Sequence, residues 1–227
     1  MIINNLYEYK PVPRETIDGV RHYATPDGKK LPSVTTILSD TKSQEKIQAL
    51  NNWRNRVGKT NAQQITTEAA NTGTSMHKKL EEYCLGNLKE PGSNPIQQQS
   101  YKMAQEIITK GLVHLNEIWG IEVPLYYEGI YAGSTDLVGV WKGKPAIIDF
   151  KQTNKPKKEE WIDDYKLQLS AYSVAHNNMF GTKINTGVVL MCSRACEYQE
   201  FVIEGDIFSA WEELWWAKVE EYYTKQL

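Results

Sequence analysis

Cysteine is scarce in this chain of 227 residues: Cys84, Cys192 and Cys196 are an odd number with no Cys-x-x-Cys pair. That argues against a disulfide framework and against four-thiolate zinc or iron–sulfur ligation by this chain alone, and it fits a reducing compartment. No apolar run approaches membrane-spanning length, and the opening MIINNLYEYKPVPRET has neither an apolar signal core nor an Arg-rich amphipathic stretch. An intracellular, cytoplasmic protein without signal or transit peptide is expected. Neither sign of charge dominates, since 26 Lys and Arg face 28 Asp and Glu for a net charge of −2, so an anionic partner must be held by a local basic patch. Repeats are absent, and one stretch has loop composition, LGNLKEPGSNP at 85–95.

What is present is enough for a core. With 41% hydrophobic residues, seven Trp and thirteen Tyr, one substantial core and a single domain over 1–227 are expected. Helices are predicted over 43–58, from a Ser cap to Gly58, over 66–86 despite Gly73, and over 96–111. The segment 121–152 is rich in β-branched and aromatic residues and is punctuated at Glu128-Gly129 and Lys142-Gly143, as a three-stranded meander would be. A helix over 160–180, two strands at 184–193 and 197–205, and a helix N-capped by Asp206 complete the order. Strands in a run followed by a crossover helix point to an α/β protein with a mixed sheet.

The chemistry concentrates in IIDFKQT, 147–153. Asp149 and Lys151 are two apart on a strand and share a face, with Phe150 on the other. A hairpin at Lys142-Gly143 sets Asp136, in GSTDLVG, on the neighbouring strand. Two carboxylates brought together repel unless a cation lies between them, and oxygen ligands in a small cluster select Mg²⁺ or Mn²⁺. Lys151 beside that cation would serve an attacking water, its own pKa lowered. Taken alone, D-x-K on a strand end is usually a solvated ion pair. Two more pairs stand at helical spacing, His77 with Glu81 and Gln168 with Tyr172.

In this order, GTSMHKKLE, GSTDLVG, IIDFKQT and QLSAY resemble the RecB-type branch of the PD-(D/E)XK nuclease superfamily, whose motifs are G-x-x-x-H, G-x-x-D, D-x-K and Q-x-x-x-Y. LPSVTTIL at 31–38 and DFKQTNKPK at 149–157 are more narrowly similar to the mitochondrial genome maintenance exonuclease group with its bacterial and phage members. The resemblance implies a restriction-endonuclease-like α/β core, a mixed central sheet flanked by helices, at 96–205. It adds a helical N-terminal part at 31–95 and a packing helix at 206–227. It implies Asp136, Asp149 and the Phe150 carbonyl as ligands of one or two Mg²⁺ or Mn²⁺ ions, Lys151 serving the nucleophilic water, and His77 near the metals or the scissile phosphate. Glu122 matches an acid some members carry on the first strand, and reads equally as a solvated strand charge. Gln168 and Tyr172 would hold the DNA backbone. The absent transit peptide shifts the expectation toward a bacterial or phage-infected host.

Other positions are weighed beside these. Lys155, Lys157 and Lys158 form a solvated turn or grip phosphates. Ser33 and Thr35 donate to phosphate, or Ser33 caps a helix. The segment 43–60, with Arg54, Arg56 and Lys59, is expected to arch over single-stranded DNA. Phe208, Trp211, Leu214, Trp215, Val219 and Tyr222 make a core stripe, leaving Trp216 and Tyr223 partly exposed. The expectation is a divalent-metal-dependent DNA exonuclease acting on single-stranded ends, without membrane or organic cofactor. The alternatives are a structure-directed endonuclease of the same fold and a non-catalytic DNA-binding module.

Overall fold

The computed structural model describes residues 2–227. Its N-terminal region holds strands β1 (Ile2–Ile3), β2 (Arg14–Ile17), β3 (Val20–Ala24) and β4 (Lys30–Pro32), none of them expected. The last three form a small antiparallel sheet, so the segment from 31 does not open as helix. Ser33 then caps α1 (Val34–Asp40), its side chain accepting from the Thr36 N–H at 2.9 Å.

Two helices follow as expected in kind but not in length. Ser43 caps α2 (Gln44–Val57), and Gly58, at φ 83°, breaks the chain direction before α3 (Lys59–Cys84). That third helix begins seven residues before the predicted 66, because KTNAQQI has too few apolar residues to show a period yet extends a helix that is buried further along. At 26 residues it is roughly 39 Å long. No residue of α2 is buried. The loop 85–94 leads to α4 (Pro95–Lys110), capped by Asn94 with Pro95 in the first turn.

The main sheet has six strands in the order β1, β5 (Leu115–Tyr127), β6 (Tyr131–Trp141), β7 (Lys144–Thr153), β8 (Thr186–Ser193) and β9 (Tyr198–Glu204). The expected meander is β5, β6 and β7, antiparallel in turn. Its second turn has Lys142 at φ 48° and Gly143 at φ 79°, two left-handed residues that suit a tight hairpin. The first strand starts six residues earlier than predicted, because register shifts between Leu115 and Gly120 disguise its alternation. From β7 the chain crosses through α5 (Asp163–Phe180) to β8, which pairs parallel with β7, while β9 returns antiparallel. All of β8 is buried, as a central strand covered on both faces must be.

One face packs on α1, α5 and α6 (Gly205–Thr224) around Val34, Ile147, Leu169, Val189, Phe208 and Trp215. The other packs on α3 and α4 around Met76, Leu80, Met103, Ile107, Ile148 and Leu190. The protein is therefore α/β, a mixed central sheet flanked by helices. The C-terminal helix needs two corrections. Asp206 lies in its first turn and makes no capping bond, and Leu214, expected in the core stripe, is 51% exposed, with Trp211 half-buried.

Candidate active site

Pairing between β6 and β7 ends at Leu137 and Ile148. Beyond that rung, β6 continues against β5 and β7 against β8, so the sheet opens into a V. Asp136 and Asp149 are the first residues past the fork. Asp136 Oδ2 accepts a 2.6 Å hydrogen bond from the Phe150 N–H, a side chain standing in for a lost rung. Asp149 is 2% exposed, and its Oδ2 lies in ion-pair contact with Lys151 Nζ without a well-aligned donor.

Three further groups close on the fork. From α3, His77 Nδ1 lies 3.2 Å from Asp136 Oδ1. From β5, Glu122 stands between Ile121 and Val123, whose partners are Leu137 and Thr135, and so faces Asp136. Its backbone is left-handed at φ 49°, a costly conformation for a glutamate inside a strand. One ligand atom from each of His77, Glu122 and Asp136 lies within 4.8 Å of the others. That trio joins Asp136 to His77 and Glu122, the two residues expected beside the ligand pair, while Asp149 is turned to Lys151. On α5, the Tyr165 ring centre is 5.0 Å from Lys151 Nζ, and Gln168 Nε2 donates to Tyr172 Oη at 3.3 Å. Gly133 makes room for that tyrosine: a Cβ there would come 2.7 Å from its ring.

The electrostatics follow from crowding charges out of water. Burial pushes Asp149 up to about 6, against the pull of Lys151 and with the help of Asp136. Glu122 is exposed at its outer edge, yet the loss of water on its side facing the fork and the Asp136 charge push it up to about 7. Burial would raise Asp136 too, but His77, Lys151 and the Phe150 N–H hold it below the usual carboxylate range. Burial acts to lower His77 and Lys151, yet the carboxylates outweigh it and hold both above their ordinary values. For Lys151 the protein groups thus act opposite to the lowering expected from a cation. Two carboxylates and one imidazole within 4.8 Å, beside Asp149 with a buried oxygen short of a donor, fit a hard divalent cation such as Mg²⁺ or Mn²⁺.

The remaining candidates are spread out. Ser33 is 2% exposed and spent on its helix cap, and Thr35 lines a separate cleft with Arg21, His22 and Tyr222, so neither joins the fork. Tyr172, 3% exposed, supports Gln168 rather than meeting a ligand itself. Lys155 and Lys158 are exposed and Lys157 half-buried on the loop that leaves β7. Arg54, Arg56 and Lys59 are exposed around Gly58. Their two helices are tied down on either side of the end of β7. Lys46 of α2 bonds Asp164 of α5 at 2.8 Å, and Glu68 of α3 pairs with Arg194, just after β8, at 3.5 Å. Tyr165 escaped sequence reasoning although it shares the helical stripe of Gln168 and Tyr172, at i, i+3 and i+7.

No family model matches the chain. It is similar to proteins named mitochondrial genome maintenance exonuclease 1: 27% identical over 207 residues to that of Mus musculus, covering 86% of this chain and 60% of that protein. To the Homo sapiens protein it is 24% identical over 207 residues, covering 86% and 59%. The chain spans about three-fifths of the length of these curated relatives. A crystal structure of a proposed exonuclease from Eubacterium rectale is 13% identical, covers 68% of this chain and 65% of its own, and has a TM-score of 0.49.

Proposed function

We propose that the chain is a divalent-metal-dependent DNA exonuclease of the RecB-like PD-(D/E)XK type, hydrolysing phosphodiester bonds from single-stranded ends. The observation that carries this reading is the fork between β6 and β7, where Asp136, Asp149 and Lys151 converge with His77 and Glu122. Similarity to proteins named exonucleases supports it.

In this reading Asp136, Glu122 and His77 would hold the cation, with Asp149 beside them as a further carboxylate. A bound Mg²⁺ or Mn²⁺ would neutralise phosphate charge and acidify a coordinated water. Lys151, half-buried among acids, keeps its proton and orients the attacking water while offsetting charge on the phosphoryl oxygens. Hydrolysis adds that water across one P–O bond, and the leaving oxygen takes up the proton. Gln168, braced by Tyr172, and the lysines after β7 hold the backbone in register. The two tethers of α2 and α3, at Asp164 and Arg194, favour an arch that admits only a single strand.

Digestion of end-labelled linear and closed circular DNA, single- and double-stranded, with Mg²⁺, Mn²⁺ or EDTA tests the proposal. Metal-dependent loss of linear single strands is expected. Rapid cutting of circles would favour the endonuclease alternative, and binding without cleavage the non-catalytic one.

A further inference from the structure

Of the seven tryptophans, Trp161 alone is exposed, at 56%. Removing an indole from water is favourable, so a chain free to bury this ring would do so. The loop after β7 does not let it. Thr153 Oγ1 donates to the Lys155 carbonyl at 2.7 Å, and Gln199 of β9 grips Lys157 twice, accepting from its N–H at 2.7 Å and donating to its carbonyl at 2.8 Å. A single turn of 3-10 helix follows (Glu159–Trp161), and the next residue, Ile162, is 1% exposed. Trp161 is thus held out between two pinned points.

Its surroundings suit a nucleic-acid strand. Lys158 Nζ lies 5.4 Å from the ring centre, and Lys155 is exposed on the same loop. The two acids that precede it are already paired, Glu160 with Lys158 at 3.7 Å and Glu159 with Lys166 at 3.2 Å. Four residues on, Tyr165 is the side chain whose ring stands 5.0 Å from Lys151 Nζ. Trp161 therefore lies four residues along the chain from a side chain that touches the site.

We propose that Trp161 is a base-stacking platform for the single strand, with Lys158 and Lys155 on its phosphates, fixing where the strand sits relative to the metal site. A flat π-face accepts any base, so the platform gives grip without sequence preference. This rests on the reading of the site as a single-strand nuclease.

The test measures binding of a labelled oligothymidylate in EDTA by anisotropy, together with a scan in which one base at a time is replaced by an abasic sugar. Trp161→Ala is expected to weaken binding roughly five- to hundredfold, and Trp161→Phe to restore most of it. In the scan, one position should cost the wild type affinity and cost Trp161→Ala nothing. In cleavage, KM should rise with kcat nearly kept. A wild-type scan without a sensitive position overturns the proposal even if Trp161→Ala fails to fold, as does equal binding by the folded variant. If the wild type cuts single strands and Trp161→Ala cuts them equally well at limiting substrate, the platform alone falls. If the wild type neither binds nor cuts them, the nuclease reading falls and takes the platform with it.

Discussion

Asp136 and Phe150 share a hydrogen bond that replaces a rung of the sheet: the Phe150 N–H donates to Asp136 Oδ2 at 2.6 Å, past the last β6–β7 pair. The carboxylate thereby closes the fork with one oxygen while the other faces His77.

Asp136→Asn keeps an oxygen for the Phe150 N–H, and Asp149→Asn keeps the side-chain volume, so both variants should fold. Each should lose metal-dependent cleavage while retaining most DNA binding. A wild-type rate at matched Mg²⁺ for either would remove that residue from the site.

Lys151→Ala should lower turnover by roughly 10²-fold or more, the loss typical of a positioned proton-transfer or charge-stabilising group. Replacing Lys155, Lys157 and Lys158 together by Ala should instead weaken binding and flatten its dependence on salt. Steady-state kinetics and a salt titration on the same two proteins separate these roles; indistinguishable profiles would contradict them.

Closed single-stranded circles should survive where linear strands of the same sequence disappear, because a closed strand has no end to pass beneath α2 and α3. Breaking one tether with Lys46→Ala or Glu68→Ala should loosen that discrimination more than it changes turnover on short linear DNA. Gel analysis of both substrates decides it.

His176 is fully buried between Tyr9 and Thr182, and burial lowers its pKa to about 4. Unfolded, it titrates near 6.5, so between those values the unfolded chain takes a proton that the folded one refuses. Its contribution is full above about 6.5 and is lost as pH falls toward 4, a swing of about 3 kcal/mol. Urea denaturation across this window should show a steeper loss for wild type than for His176→Gln. Parallel curves would refute it.

The two motif glycines should answer differently to alanine. A Cβ on Gly73 meets only Gln152 Cβ at 3.8 Å, so Gly73→Ala should stabilise α3 by about 0.5–1 kcal/mol and keep cleavage. Gly133→Ala drives a methyl into the Tyr172 ring and should cost about 1–3 kcal/mol along with turnover. Thermal melts and a cleavage assay on both variants check the contrast.

The meander, the crossover and the fork residues were legible because strand alternation and the Lys142-Gly143 turn fix which side chains share a face. The small sheet was overlooked although Asp18-Gly19, at φ 50° and 79°, carries a hairpin signal of the same kind; strands of three to five residues are too short for alternation to register. Glu122 was visible as a charge, but not that its left-handed backbone turns it to Asp136. Trp161 was passed over because a lone tryptophan among lysines and glutamates does not announce its exposure. Leu214 was misplaced because helical spacing locates a face without saying how wide the buried part of it is.

The order of the strands also bears on synthesis. β7 lies between β6, which precedes it, and β8, which is parallel to it and reached only after the whole of α5. A nascent chain that ends before Thr186 carries His77, Glu122, Asp136, Asp149 and Lys151, yet its β7 is an edge with one neighbour. The chemical groups are therefore all translated well before β7, which carries Asp149 and Lys151, has both its flanks, and completing the fold, rather than translating the last of these residues, is the event that assembles the site.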